Sequence, residues 1–264
     1  MPRLASWPVD TTFVALGLVV GLLVGATGVG AGSLVTPALI GVGVPPAVAV
    51  GTDLAYAALS KTCAAMVHGA RRTLEPGIAL LLAAGSVPAA LLGIGVLGAT
   101  GAHASSPLVT GALALALALT ALALLAGRAR LAALASRYER RIAPLRAPLT
   151  VVAGAALGIL VALSSVGAGA LGAVVLVALY PALPAARVAG IDIAHAVPLT
   201  LVAALGHAWL GTVDYALAAN LLAGAVPGIV AGSLAAGRLP DALLRRLLAF
   251  VLLFAGARLA AAGF

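Results

Sequence analysis

The 264-residue chain is 63% hydrophobic and only 8% charged, with a mean hydropathy of +1.21. A soluble domain of this length needs far more polar surface, so the composition excludes one. The formal charge of +8 raises nucleic acid as a partner, but the arginines gather between apolar runs, where a basic excess marks the cytoplasmic face of a membrane protein.

A β-barrel would alternate apolar and polar residues, and this sequence does not. The opening "MPRLASWPVD" is short and no cleavage site follows the first apolar run, which reads as a retained membrane segment. Apolar segments are expected at 8–27, 31–44, 47–70, 76–98 and 107–127, and again at 149–164, 168–183, 186–208, 214–237 and 241–263. The first boundary is "VGATGVGAGSLVTPAL", residues 24–39, where four glycines and a proline interrupt an uncharged run. Pro45 and Pro46 mark a turn, His103 falls in a loop, and Pro88 and Pro227 should kink matching helices and permit gating motion. Between the halves, "GRARLAALASRYERRIAPLRAP" carries six arginines and one glutamate and reads as a cytoplasmic loop. The chain therefore divides into a first membrane repeat, 1–127, a basic linker, 128–148, and a second repeat, 149–264.

The halves repeat one pattern. Aligning the two VGAG tetrapeptides, 29–32 and 166–169, matches Gly17 with Gly154 and Gly21 with Gly158. After a two-residue insertion Gly51 meets Gly190, Asp53 meets Asp192, His68 meets His207, Glu75 meets Asp214, and Pro88 meets Pro227. Matching rare polar residues inside apolar runs identifies a duplication. The expected fold is an all-α polytopic membrane protein of two homologous repeats, with about 8–10 membrane segments that include short broken or re-entrant helices. Five passes per half would invert the second repeat and place twelve arginines inside against two outside; merging each broken pair gives parallel halves and ten against four. The positive-inside rule favours inversion.

Segments of 14 to 16 residues reach only about 21–24 Å as helices, short of a full crossing. Unpaired backbone in lipid costs several kcal/mol per group, so such a break survives only within protein or beside a wet cavity. Paired Gly-interrupted segments in two repeats point to a transporter's substrate site. A helix starting near Ser33 or Ala170 would turn free N–H groups and its positive end toward the break, and glycines would let a small anion approach the backbone. The candidate substrate-binding residues are Thr27, Gly28, Gly30, Gly32, Ser33, Thr52, Ser164, Ser165, Gly167 and Gly169. Close helix packing is the competing explanation for the glycines, and it suits Gly17, Gly21 and Gly25 well.

"GLLVGATGVGAGSLVTPALIGVGVPPAVAVGTDL" resembles the signature of the TauE/SafE family of sulfite and organosulfonate permeases, and the second half resembles its repeated copy, Gly-x-Val-Asp loop included. The resemblance implies a membrane permease for small sulfur- or carbon-containing anions, commonly an exporter, in a bacterial inner membrane. Two positions depart from the family pattern: Asp53 stands where serine usually follows Gly-Thr, and Ala31 where a third glycine is common.

Ionisable residues within a bilayer are functional candidates by default. Asp53 and Asp192 read either as helix caps at the interface or as a proton-accepting pair beside the substrate. Lys61, the only lysine, reads as a partner for an aspartate or the anion, or as a side chain reaching for the interface. His195 lies one turn beyond Asp192, suited to proton exchange, whereas His68 and His207 at helix ends read as packing groups. The expected partners are a small anionic substrate, the lipid bilayer and, secondarily, protons, with a homo-oligomer left open. No cofactor, metal or catalytic residue is expected. The rival functions are a divalent-cation permease, which lacks a dense ligand cluster, and an intramembrane enzyme, for which no hydrolase elbow, zinc motif or nucleotide fingerprint appears.

Overall fold

The structure is a computed structural model that describes residues 9–27, 32–70, 75–100, 107–235 and 241–262. Among the described residues there are helices and turns but no strand. The first repeat comprises α1 (Thr11–Thr27), α2 (Gly32–Gly41), α3 (Pro46–Ala70), α4 (Pro76–Ala99) and α5 (Pro107–Ala126). The second comprises α8 (Arg146–Ser164), α9 (Ala170–Leu179), α10 (Ala185–Trp209), α11 (Tyr215–Ala235) and α12 (Asp241–Ala262). Pro46, Pro76 and Pro107 each open a helix, a position where the missing N–H costs no intrahelical bond. Among the described residues five helices are long and apolar enough to cross a membrane.

The linker is more ordered than a plain loop. It forms α6 (Arg128–Arg137), α7 (Glu139–Ile142) and a 3₁₀ turn at Ala143–Leu145. Leu131 and Ala132 tuck against the core while Arg130, Arg137, Arg140 and Arg141 face outward.

Across the repeats the packing is reciprocal. Helix α1 lies along α11, the fourth helix of the other repeat, and α8 lies along α4. Gly17 and Gly21 press on the backbone of Leu221 and Ala225, and Gly154 and Gly158 press on that of Leu82 and Ser86. Gly224 answers from α11 against Val14, and Gly85 from α4 against Val151. A Cβ at any of these glycines would overlap the opposite main chain. Bilayers offer no hydrophobic drive between helices, so such close backbone approach is what holds them together. The packing explanation for Gly17 and Gly21 is therefore what the structure displays.

The short helices are shorter than expected. Residues 31–44 and 168–183 yield only ten helical residues each, about 15 Å, or half of a ~30 Å core. Val42 and Gly43 already turn after α2, and Tyr180 leaves helical geometry after α9.

Helix α9 doubles back on α8. Arg146, at the start of α8, donates its Nε–H to the carbonyl of Leu179 at the end of α9, 3.0 Å away. Its guanidinium lies over the Tyr180 ring, 5.5 Å from the centroid, and Thr150 and Tyr180 share a 3.0 Å hydrogen bond. A continuing α9 would carry Leu179 tens of ångströms from Arg146. Because α9 ends at the linker side and is ten residues long, its first residues lie up to about 15 Å from that side.

Candidate functional site at the helix breaks

Between α8 and α9, residues 165–169 leave helical geometry through three left-handed positions. Ser165 has φ of 60°, Gly167 of 126° and Gly169 of 139°. Glycine tolerates such angles, whereas Ser165 holds one as the cap residue of α8, donating its N–H to Val161 at 2.7 Å. The Ser164 hydroxyl is used locally, donating to Leu160 O at 2.6 Å and accepting from Val166 N at 3.2 Å. Ser164 thus closes the helix end instead of pointing to a ligand. The Ser165 hydroxyl is different: it is buried, lies near Asp53, and has no hydrogen-bond partner of good geometry.

Of the first-turn amides of α9, that of Gly172 donates to the Gly167 carbonyl at 3.0 Å, which leaves those of Ala170 and Leu171 without a backbone partner. Asp192 of α10 covers that end. The Gly169 N–H faces its carboxylate, and its Oδ1 sits so close to Gly172 that no side chain would fit there. The first repeat places its acid likewise: Thr36 of α2 donates to Asp53 Oδ2 of α3 at 2.5 Å. Both acids lie seven residues inside their helices, fully withdrawn from solvent, so the reading as interfacial helix caps is corrected. Asp53 Oδ1 and Asp192 Oδ1 have no hydrogen-bond partner of good geometry, and both carboxylates lie near the second break, Asp53 by Ser165 and Asp192 by Gly169 and Gly172.

Lys61 joins the halves. It is 8% exposed, and its Nζ donates to the Ala168 carbonyl of the second break at 2.6 Å. Among the described residues no ion pair within 4 Å holds it, yet both Asp53 and Asp192 act on it electrostatically. The reading as a side chain reaching for the interface is corrected too: Lys61 points inward. His195, buried on α10, shares a 2.8 Å hydrogen bond with Ser86 of α4, and its Nδ1 is unpartnered.

Other expected residues lie elsewhere. Thr52 is buried, but its hydroxyl accepts the Asp214 N–H at 3.0 Å and so ties α3 to the α10–α11 turn. His207 bonds Thr212 and the Ala162 carbonyl, both at 2.8 Å, a packing role as its position suggests. Pro88 and Pro227 lie within α4 and α11 on exposed faces. Gly28, Gly30 and His103 lie outside the described residues; Gly32 opens α2, and of Thr27, Ser33 and His68 only the backbone is described. Among the described residues no group of three His, Cys, Asp or Glu side chains is placed to hold a metal. An apolar groove on the flank, lined by Leu59, Leu205, Tyr215 and Leu222, is remote in character from this polar cluster.

Sequence reasoning missed the partner of Lys61 and the approach of Ser165 to Asp53 of the other repeat. In the register that pairs Asp53 with Asp192, Lys61 aligns with Thr200 and Tyr56 with His195. That mismatch between otherwise equivalent positions was the available signal.

Comparison with known proteins agrees with this architecture. Residues 13–259 match the family model described as "Sulfite exporter TauE/SafE". The chain is 36% identical over 254 residues to a Bacillus subtilis (strain 168) protein named "Probable membrane transporter protein YjnA", covering 95% of this chain and 99% of that one. No solved structure matches. With a bundle of long apolar helices, a family match over nearly its whole length and a relative of the same extent, the chain belongs to the TauE/SafE family and is a multi-pass membrane transporter, not an enzyme.

Proposed function

We propose that the protein exports a small oxyanion, of the sulfite, organosulfonate or carboxylate class, by alternating access between inverted repeats. The observation that carries this reading is the second break: a half-length helix starts inside the protein, and a buried lysine from the other repeat is anchored beside its first turn. Free amides, the positive end of the helix dipole and an ammonium group together favour a small anion over a cation. Loose, donor-rich backbone at membrane depth is tolerated only where protein or a cavity surrounds it.

Inversion is supported by the return of α9 to the linker side. Counted as separate passes, α8 to α12 cross five times, an odd number, so the second repeat ends opposite its start and the first runs the other way. The acids and Lys61 are closed off from both sides, which suits an occluded state between outward and inward openings. Asp53 and Asp192 serve as the proton-coupling pair in this reading.

The test is counterflow into liposomes holding the purified protein, using labelled sulfite, methanesulfonate, sulfoacetate and acetate. Saturable exchange of at least one is expected. Absence of exchange for all four, with exchange of a divalent metal ion instead, overturns the anion assignment.

A further inference from the structure

Charge bookkeeping around Lys61 yields a transport stoichiometry. Among the described side chains the ionisable groups at this level are few. Helix α3 supplies Asp53, Tyr56 and Lys61, and α10 supplies Asp192 and His195. Helices α2, α5 and α9 carry no ionisable residue, α4 contributes the Ser86 hydroxyl, and the tyrosine of α11 is exposed. Tyr56 and His195 are buried, which favours the uncharged phenol and imidazole, and both are counted as neutral.

The two half-sites are not chemically equal. Each repeat contributes one acid against its own short helix, but only the first contributes a cation, since Thr200 stands where the second would carry it. The Thr200 hydroxyl instead turns back to the Ala196 carbonyl, 2.7 Å away. Lys61 has three N–H donors, and among the described residues one is used, by Ala168 O. The others remain for an incoming anion, next to the Ala170 and Leu171 amides and the buried Ser165 hydroxyl, which lies near Asp53.

An uncompensated charge in a protein interior costs several kcal/mol, so the populated states of such a site are those of zero net charge. With Lys61 charged, the empty site is neutral when one aspartate is ionised and the other holds a proton. A monoanion entering beside Lys61 restores neutrality only if the ionised aspartate takes a proton as well. That proton comes from water on the side of entry, forms an O–H bond on the carboxylate, and leaves to water on the other side with the anion. A dianion would leave one negative charge unmatched.

We infer that Lys61 is the substrate's counter-ion and that Asp53 and Asp192 make transport electroneutral, one proton accompanying one monoanion. This rests on the anion reading above.

The test uses wild-type protein in liposomes with methanesulfonate as monoanion and sulfoacetate as dianion at neutral pH. Methanesulfonate flux should be driven by a pH gradient, carry about one proton per anion, and ignore an imposed membrane potential; sulfoacetate flux should be at least about tenfold slower. Lys61→Met should lose at least about tenfold in counterflow, and Lys61→Arg, which keeps the charge, should recover part of it. The double variant Asp53→Asn, Asp192→Asn should still exchange methanesulfonate but respond to voltage and ignore pH. Should anions exchange in the wild type with voltage-driven, proton-free flux, or should Lys61→Met transport normally, this inference fails while the anion reading stands. If no anion exchanges, both fail.

Discussion

Thr36 donates its hydroxyl to Asp53 across 2.5 Å, and by that bond half-length α2 is fastened to long α3. Both groups are fully buried, so no water can replace the donor. Thr36→Val keeps the shape and removes the O–H. The loss should destabilise the purified protein by about 1–3 kcal/mol, the range for a buried acceptor left short of a partner. Thr36→Ser should restore most of it. A Thr36→Val protein that melts with the wild type in detergent would show that the bond has no structural weight.

The crossing glycines give a second expectation. Gly158 lies against the Ser86 backbone, so Gly158→Leu must push α8 from α4 and should destabilise by at least about 1–3 kcal/mol, as overpacking does. Gly95 has nothing near it and faces outward in α4. Gly95→Ala should therefore be neutral or stabilising by about 0.5–1 kcal/mol. Thermal melts of both variants compare the two sites directly, and equal effects would refute reciprocal close packing.

Arg146 anchors the end of α9 through two contacts, the Leu179 carbonyl and the Tyr180 ring, and pairs with Glu139 of α7 at 2.6 Å. Glu139 is 40% exposed, so Glu139→Gln should cost under about 1 kcal/mol. Arg146→Ala should cost more, about 1–2 kcal/mol, because it also uncaps a helix C-terminus. Arg146→Lys should rescue only partly, having no planar fork to reach carbonyl and carboxylate together. Hydrogen exchange over residues 170–179 reads this locally; faster exchange is expected in Arg146→Ala and not in Glu139→Gln.

Inversion can be read by labelling. In a Cys63→Ser background, Val42→Cys and Ala182→Cys place exposed thiols just after α2 and α9. Inverted repeats put them on opposite faces of the membrane, so an impermeant maleimide should reach only one in sealed, uniformly oriented vesicles. Labelling of both from one side would establish parallel halves.

Much of this was legible in the sequence because the bilayer enforces it. Polar residues are costly there, so Asp53 and Asp192 stand out and reveal the repeat without any contact being known. Breaks need glycine, so Gly167 and Gly169 mark where the backbone turns left-handed. Composition could not say which helix receives each glycine stripe, since Gly17 suits any close crossing; its partner Leu221 lies in the other repeat. Nor could it assign Lys61 to Ala168, because the acceptor is a main-chain carbonyl exposed only by the break. The basic linker looked like a loop because its arginines dominate. Its order comes from Leu131 and Ala132 packing on the core, a tertiary contact.

Transport by this route requires an anion to lodge where the second break meets Lys61, and anomalous diffraction or cryo-electron microscopy of the protein soaked in selenite, a heavy small oxyanion, locates it. The expected signal lies within hydrogen-bonding distance of Lys61 Nζ and the Ala170–Leu171 amides, and Lys61→Met removes it. Signal confined to the linker arginines, with none beside Lys61 while transport proceeds, would contradict it.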